Sequence, residues 1–542
     1  MRRHAFLLTI GGLAALTGLG VALAPAPAAG DASASLTRLG KVEFKVACNA
    51  AAQQEFNRAM ALYHSFAWPE ATAAFAAVKQ ADPTCGMAEW GHAMTLLDNP
   101  FIWPAGLSPA KLDQIAAALE AAKSAGLHTQ REQDYVAAVL GFVRDHDKLD
   151  HRTRLQRFED AMGTLAAQHP DDTEASILHA LVTSANFNPA DKSYGNQLKA
   201  ARMLEPIFKA QPDHPGVAHY LIHSYDYPPI VHHGVEAARK YASIAPDAPH
   251  ALHMPSHIFT RLGLWQESIE ANRASAKAAG DATFDGHHGH DYMVYAHLQL
   301  AQDQAARQSM EQSLALKAID HFGAAYAYAA MPARLALERE DWTAAAAIPL
   351  KPAADAYPWK KYPQAEAVNA FARGIGAAKT GDAAAARQQQ ARLVALGETA
   401  SQAKLAYWVE QIAIQADVVG ALSLCAENKT EACIEALGRA AAREDATEKH
   451  VVTPGPILPA RELLAEALLD AGEVGAALKE YEAVLVKEPN RYRAVAGAME
   501  AAEKAGDTGK ARKYAAGLVE QGGAADGERA SLSRAKQIVA AK

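Results

Sequence analysis

Histidines recur along one stretch of this chain at spacings that fit a repeating helical fold. The pair His219 and His223 is followed, 34 residues later, by the pair His253 and His257. A period of 34 residues is typical of stacked pairs of helices, and positions three, four or seven apart lie on one face of a helix. We therefore predict that successive helices present these side chains as neighbouring rows on one surface.

The same rows continue into the next repeat. At a spacing of 38 residues, three positions of one repeat are matched by polar side chains of the next: His250, His253 and His257 by His288, Asp291 and Tyr295. Neutral imidazole is a common ligand of transition metals, and a carboxylate can complete such a shell. We predict a site for a divalent transition metal, zinc or copper, with five ligands: His219, His223, His253, His257 and Asp291.

Both His-x-x-x-His pairs differ from the zinc-protease motif. That motif requires Glu directly after the first His, and Tyr220 and Met254 stand there instead. Pro255 lies inside the segment that carries the second pair. Either it kinks a helix and aims the rings at a site, or the helix begins near Met254 and His250 and His253 lie in a loop.

The elements that position these residues are predicted to be helices throughout. Helical periodicity rich in Ala runs along nearly the whole chain, and alternating strand-like runs of Val, Ile and Thr are absent from the sequence. Two segments, 56–83 and 471–490, show a pair of helices with small residues at the turn and Pro at the end. They resemble tetratricopeptide repeats. The predicted fold class is all-α, a right-handed superhelical solenoid of tetratricopeptide-like helix–turn–helix repeats.

A more specific resemblance is carried by the segments 219–226 and 249–257, His-Tyr-Leu-Ile-His-Ser-Tyr-Asp and Pro-His-Ala-Leu-His-Met-Pro-Ser-His. With them the chain resembles exported bacterial tetratricopeptide-repeat proteins, a family without an established activity. The resemblance implies a concave groove lined by fixed positions of each first helix. In this chain the predicted groove-binding residues on those helices are Asp226, His250, Arg261, His288 and Tyr295. Glu462, from a later loop, is added to them.

The first residues of the chain predict export. A basic start is followed by an apolar run from Phe6 to Leu23 and then by small residues and prolines up to Ala29, which is the pattern of a cleaved signal peptide. A retained anchor is the alternative. We predict a signal peptide over 1–29, an N-terminal solenoid with the His-rich concave face over 30–350, and C-terminal repeats over 351–542. The expected location is periplasmic or secreted.

Composition limits the partners. The formal net charge is −8, without a cluster of Lys and Arg, which argues against nucleic acid. We see no later apolar stretch long enough to cross a bilayer, so we expect no membrane insertion after signal cleavage.

The four cysteines of an exported chain are expected to pair. Cys48 precedes the first predicted helix and Cys85 begins the third, while Cys425 and Cys433 flank a turn. We predict the disulfides Cys48–Cys85 and Cys425–Cys433, with a structural role, because the sequence contains no Cys-x-x-Cys.

A second polar segment, 443–462, allows two interpretations. It contains Thr453-Pro454-Gly455-Pro456 and then Arg461-Glu462, and it can cap helix ends and form a rigid turn, or fold back across the groove. We favour the first.

Three functions compete for these residues. The first is a periplasmic binding or scaffold protein whose groove holds a transition metal and a peptide or protein segment. The second is a metal-dependent enzyme, a hydrolase or oxidoreductase, that uses the same histidines. The third is a structural assembly factor in which the histidines only rigidify the core. Whether the chain is catalytic is left open by the sequence.

Overall fold

A computed structural model describes residues 36–103, 107–280 and 283–541 of the chain. The predicted signal peptide, residues 1–29, lies outside the described residues. Within the described ranges every regular element is an α- or 3₁₀-helix. The predicted all-α fold class is confirmed.

Thirteen helices lead up to and include the first part of the histidine region: α1 (Ala50–His64), α2 (Trp68–Ala81), α3 (Gly86–Leu97), α4 (Pro109–Ala125), α5 (Gln130–Val143), α6 (His151–Gln168), α7 (Thr173–Ala185), α8 (Gly195–Ala210), α9 (Pro215–Tyr225), α10 (Val235–Ile244), α11 (Pro249–His253), α12 (Pro255–Arg261) and α13 (Trp265–Ala279). Those that follow are α14 (Phe284–Gln299), α15 (Asp303–Ala315), α16 (Phe322–Glu338), α17 (Trp342–Ala346), α18 (Pro363–Lys379), α19 (Ala383–Gln402), α20 (Ala406–Ala426), α21 (Thr430–Asp445), α22 (Ala460–Asp470), α23 (Val474–Lys487), α24 (Tyr492–Lys504), α25 (Thr508–Gln521) and α26 (Ala530–Ala540). Short 3₁₀-helices occupy Pro100–Ile102, Val231–Gly234 and Trp359–Lys361.

Consecutive helices pack on one another along the chain, as in a solenoid of helical hairpins. Small residues permit the close approach. A Cβ added to Gly91 of α3 would lie 2.2 Å from the ring of Phe75 in α2, and one added to Gly497 of α24 would lie 2.2 Å from the ring of Tyr481 in α23. Glycine is therefore needed where an aromatic ring of one helix packs against the backbone of the next. The predicted superhelical solenoid of tetratricopeptide-like hairpins is confirmed.

The end of the solenoid returns onto the histidine region. The indole nitrogen of Trp265 in α13 donates to the carbonyl of Asn490, at 3.0 Å, and the side chain of Gln299 in α14 accepts from the backbone N–H of Tyr492, at 2.8 Å. These contacts join residues about 200 positions apart. Residues 37–542 accordingly form one compact unit. The boundary that we expect at residue 350 stays a prediction.

Both predicted disulfides are present, Cys48–Cys85 and Cys425–Cys433. The first joins the residues just before α1 and α3, and the second connects the end of α20 to the first turn of α21.

We expect the two disulfides to contribute unequally to stability. They join cysteines 37 and 8 positions apart, and a longer closed loop restricts the unfolded chain more. Replacing Cys48 and Cys85 by Ser should cost about 4 kcal/mol of unfolding free energy, against about 2.5 kcal/mol for Cys425 and Cys433. Urea unfolding of the two double variants measures the difference, and an equal loss would contradict the loop-length argument.

Helix α20 differs from our expectation that no apolar stretch after the signal peptide is long enough to cross a bilayer. Among the described residues α20 (Ala406–Ala426) is long and apolar enough to cross a membrane by length and composition, a test that core helices of water-soluble proteins also pass. Here Trp408 and Ile412 are buried in the core between neighbouring helices, and Glu410 pairs with Arg443 of α21 at 2.6 Å. With these contacts α20 packs as a core helix, so its length and composition alone do not indicate a membrane span.

Candidate metal centre

Three successive first helices of the solenoid bring the histidines together. Helix α9 is buried along its whole length and carries His219 and His223. Helices α11 and α12 form one path that is divided at Pro255, and Met254 keeps right-handed helical dihedrals at the junction. His250 and His253 are therefore helical, and the alternative that placed them in a loop is wrong.

His219, His223 and His250 form a first triad. The Nε2 atom of His219 lies 3.1 Å from Nε2 of His223 and 3.2 Å from Nε2 of His250. The Nδ1 atom of His219 lies 2.7 Å from the backbone carbonyl oxygen of His64. A carbonyl only accepts, so the proton of His219 is on Nδ1 and its Nε2 carries a lone pair. That lone pair faces the other two rings.

His253, His257 and His288 form a second triad. Nδ1 of His257 donates to the carboxylate of Asp226, at 2.9 Å. Nδ1 of His253 donates to the side-chain oxygen of Asn272, at 2.6 Å, and the amide nitrogen of that Asn272 donates in turn to the carbonyl of Ser268. Both Nε2 atoms therefore carry lone pairs, yet they lie only 3.0 Å apart. Two lone pairs cannot form a hydrogen bond.

A proton shared between these nitrogens is disfavoured by burial. His253 and His257 are each 2% exposed. Burial lowers the pKa of His253 to about 3, with the charge of His257 as the next cause, and burial also lowers the pKa of His257. The rings are therefore neutral near pH 7, which is the form that binds metals.

The spacing of the nitrogens suits a metal ion. Two nitrogens at about 2.0–2.1 Å from zinc lie about 3.3–3.4 Å apart at a tetrahedral angle, and about 2.9 Å apart at a right angle. Three Nε2–Nε2 distances fall within this range, His219–His223 at 3.1 Å, His219–His250 at 3.2 Å and His253–His257 at 3.0 Å, and the ligand atoms of each triad all lie within 4.8 Å of one another.

The two triads are adjacent. The ring centres of His223 and His257 are 6.2 Å apart, and those of His250 and His253 are 6.1 Å apart. The hydroxyl of Tyr292 lies 3.4 Å from Nε2 of His257. Sequence reasoning missed Tyr292, although it follows His288 by four positions and so shares its helix face.

Asp226 is not one of the six ligand residues, but it is bonded to His257 of the second triad. Its carboxylate accepts from His257, from Nε of Arg261 at 2.9 Å, and from Nζ of Lys449 at 3.0 Å. Burial alone would raise the pKa of Asp226, but the charges of Lys449 and Arg261 hold it well below its usual range. An ionised carboxylate on Nδ1 fixes the tautomer of a metal-ligating histidine.

Asp291, which we predicted as a fifth ligand, lies elsewhere. Its carboxylate accepts from Nε of Arg334, at 3.1 Å, and both side chains are fully buried. Burial raises the pKa of Asp291, and the charge of Arg334 opposes that shift. The structure thus brings together the four predicted histidines with His250 and His288, while Asp291 belongs to an ion pair.

The segment 446–459 contacts the solenoid beside the histidines: the hydroxyl of Tyr292 donates to the carbonyl of Thr453, at 3.2 Å, and Arg334 of α16 donates to the Thr453 hydroxyl, at 2.9 Å. The preferred capping is also present, because Glu444 accepts from the backbone N–H of Ala460, the first residue of α22, at 2.8 Å. Tyr295 and Glu462, two groove residues of the sequence prediction, both contact the buried Arg491.

A third cluster consists of His64, His214 and Glu174, and every ring nitrogen in it has a hydrogen-bond partner. Nε2 of His64 and Nε2 of His214 donate to the two oxygens of Glu174, at 3.0 and 2.8 Å. Nδ1 of His64 accepts from the hydroxyl of Tyr220, and Nδ1 of His214 accepts from the backbone N–H of Val217. Because each of these nitrogens has a partner, this cluster needs no metal.

A cavity of about 640 Å³ lies beside the first triad. His223, Asp226 and Lys449 contribute to its wall. The ring of Phe101 stacks on His223 with centres 3.9 Å apart, and Phe101 also lines the cavity. The volume is within the range of small-molecule sites.

Comparison with known proteins gives a likeness of fold. No family model matches the chain, and no curated protein matches it. Among solved structures it is similar to the APC/C hetero-tetramer Cut9–Hcn1 (13% identity, 83% of this chain and 76% of the other, TM-score 0.33). It is also similar to the P58(IPK) TPR domain (12%, 85% and 99%, 0.22) and to Naa15/Naa10 bound to HypK-THB (12%, 90% and 73%, 0.25). Such similarity concerns the fold alone, and nothing about a ligand follows from it.

Proposed function

We propose that this chain is a metal-binding solenoid protein whose two adjacent histidine triads hold two transition-metal ions, zinc or copper. One observation carries the proposal. The Nε2 atoms of His253 and His257 both carry lone pairs, lie 3.0 Å apart and are buried. A metal ion satisfies both nitrogens at once. Without a cation between them, the arrangement is repulsive.

The surroundings of the triads support the same proposal. His257, His253 and His219 each donate through Nδ1 to a fixed acceptor: a carboxylate, a side-chain amide and a backbone carbonyl. Such outer partners orient ligating histidines in metal sites. The cluster around Glu174 lacks this feature, since both of its histidines use Nε2 for the carboxylate.

Export to an oxidising compartment, periplasmic or extracellular, is part of the proposal. It is supported by two disulfides among the described residues, which are typical of such compartments. A peptide in the concave groove, which the sequence favoured, fits less well because Tyr292 and Arg334 on that surface are already bonded to Thr453 of the segment 446–459.

A metal-dependent enzyme is the second candidate. The observation that favours it is the cavity of about 640 Å³ whose wall includes His223. Three histidines leave a further coordination position on each ion, and an open position is what catalytic zinc sites keep.

Elemental analysis of protein produced without a histidine tag tests the proposal. We expect two ions of zinc or copper per chain after equilibration with the metal and removal of the excess. In the double variant His253→Ala, His257→Ala the second triad keeps one ligand, so the content should fall to one ion per chain.

The third cluster supplies the matched control. His214→Ala removes a buried histidine from a cluster whose nitrogens are already satisfied, so the metal content should stay at two. A wild-type protein that takes up no zinc or copper would overturn the proposal, as would equal metal content in the wild type and the double variant.

A further inference from the structure

We infer that the cavity beside the first triad binds a small planar aromatic carboxylate, with its carboxylate directed at the metal ion of that triad. This inference rests on the proposed function, and it adds a class of ligand to it. It is carried by the walls of the cavity, by its size, and by the charge of its metal-facing end.

The walls are aromatic on several sides. Residues that line the cavity include Phe101, Phe187, Tyr407 and Trp408, and they come from three separate parts of the solenoid, because Tyr407 and Trp408 are neighbours in α20. Flat aromatic ligands pack well between such rings, either offset-stacked or edge to face.

Charge at the metal-facing end favours an anion. The six triad ligands are imidazoles. The carboxylate of Asp226, beside the second triad, is already bonded to His257, Arg261 and Lys449, and beside the first triad the carboxyl of Asp285 lies 4.0 Å from Nδ1 of His250. Two divalent ions would therefore bring positive charge that the protein ligands do not neutralise. A ligand carboxylate can occupy the position that three nitrogens leave on zinc, because carboxylate oxygen is an ordinary zinc ligand.

The size of the cavity favours a small molecule over a peptide. Its volume of about 640 Å³ is typical of sites for small organic ligands. Lys449, which lines it, is held by Asp226 at 3.0 Å, so the cation at this end is fixed in place.

Two small molecules of similar shape, one charged and one neutral, test whether the carboxylate is recognised. We would titrate the zinc-loaded protein with 1-naphthoate and, separately, with the neutral 1-naphthamide, by calorimetry. Naphthoate should bind at least about ten-fold more tightly than naphthamide. Removal of zinc with a chelator should lower the affinity for naphthoate to that for naphthamide.

A wall variant tests the location. Phe187 is partly exposed, so Phe187→Ala should fold, and it should weaken binding of naphthoate about ten-fold while the zinc content stays at two. Tyr514→Ala, a partly buried aromatic deletion in α25 outside the cavity, should leave binding unchanged.

The outcomes distinguish this inference from the proposed function. Equal affinity for the two probes would overturn the inference, as would equal binding by Phe187→Ala and the wild type. Absence of binding by a protein that holds two zinc ions would overturn the inference and leave the metal centre. A protein that takes up neither zinc nor copper would overturn both.

Discussion

Acidification from pH 7 to pH 5 is expected to cost the metal-free protein several kcal/mol of its unfolding free energy. The cause is a set of buried histidines that stay neutral in the folded chain. Burial lowers the pKa of His290 to about 4 and that of His450 to about 3, with neighbouring charge as the next cause. In the unfolded chain both rings take up a proton as the pH falls below about 6.5.

The sign follows from proton uptake. Below about pH 6.5 the unfolded state binds more protons than the folded state at these rings, so stability falls as the pH falls, by about 1.4 kcal/mol per pH unit for each ring. Asp285 and Glu444 act in the opposite direction, because burial raises the pKa of each to about 7. Histidines with a lowered pKa outnumber carboxyls with a raised one, so the net effect of acid is a loss.

Urea unfolding at a series of pH values, with a chelator present, measures this loss. The variant His290→Gln should show a pH slope about 1.4 kcal/mol per pH unit smaller than the wild type between pH 4.5 and 6. A flat profile between pH 7 and pH 5 would contradict the expected net loss, and an unchanged slope in His290→Gln would show that this ring is protonated in the folded state.

Replacing Arg491 by Met is expected to destabilise the fold by about 3–5 kcal/mol, because it leaves the buried carboxylate of Glu338 without its cation. Arg491 is fully buried, and it donates to Glu462 and Glu338, each at 2.6 Å. Its Nη1 also donates to the hydroxyl of Tyr295, at 3.2 Å. These contacts join the C-terminal repeats to helices α14 and α16.

Two further variants make this test specific. Arg534→Met removes an exposed arginine that pairs with Glu503, and it should leave the unfolding free energy nearly unchanged because solvent screens exposed pairs. Adding Glu338→Met to Arg491→Met should recover part of the loss, since it removes the carboxylate that Arg491→Met leaves without a cation, whereas Glu462 keeps its bond to Arg493, at 2.8 Å. A double variant less stable than Arg491→Met alone would contradict the ion-pair explanation.

The parts of this structure that local sequence determines were predictable. The spacing of His219, His223, His253 and His257 follows from one helix face repeated along the solenoid, and the structure brings these four together with His250 and His288. The disulfides were predictable for the same reason, since each joins cysteines at neighbouring helix ends.

Long-range contacts explain what the sequence did not predict. Asp291 was placed among the ligands because it occupies the right face, but its partner Arg334 is 43 positions away and is held by Thr453 and Gly455, more than 110 positions further on. No periodic pattern encodes such a pairing. Asn272 was missed because its role is to fix the orientation of a ring, which neither spacing nor residue type reveals.

Because the C-terminal repeats contact the histidine region, truncation of the chain is expected to affect the histidine triads. A premature stop after residue 445 would preserve every histidine of both triads, yet it would remove the lysine from Asp226 and three of the acceptors of Arg334. Lesions far downstream in the gene are therefore expected to damage the histidine cluster as severely as changes within it.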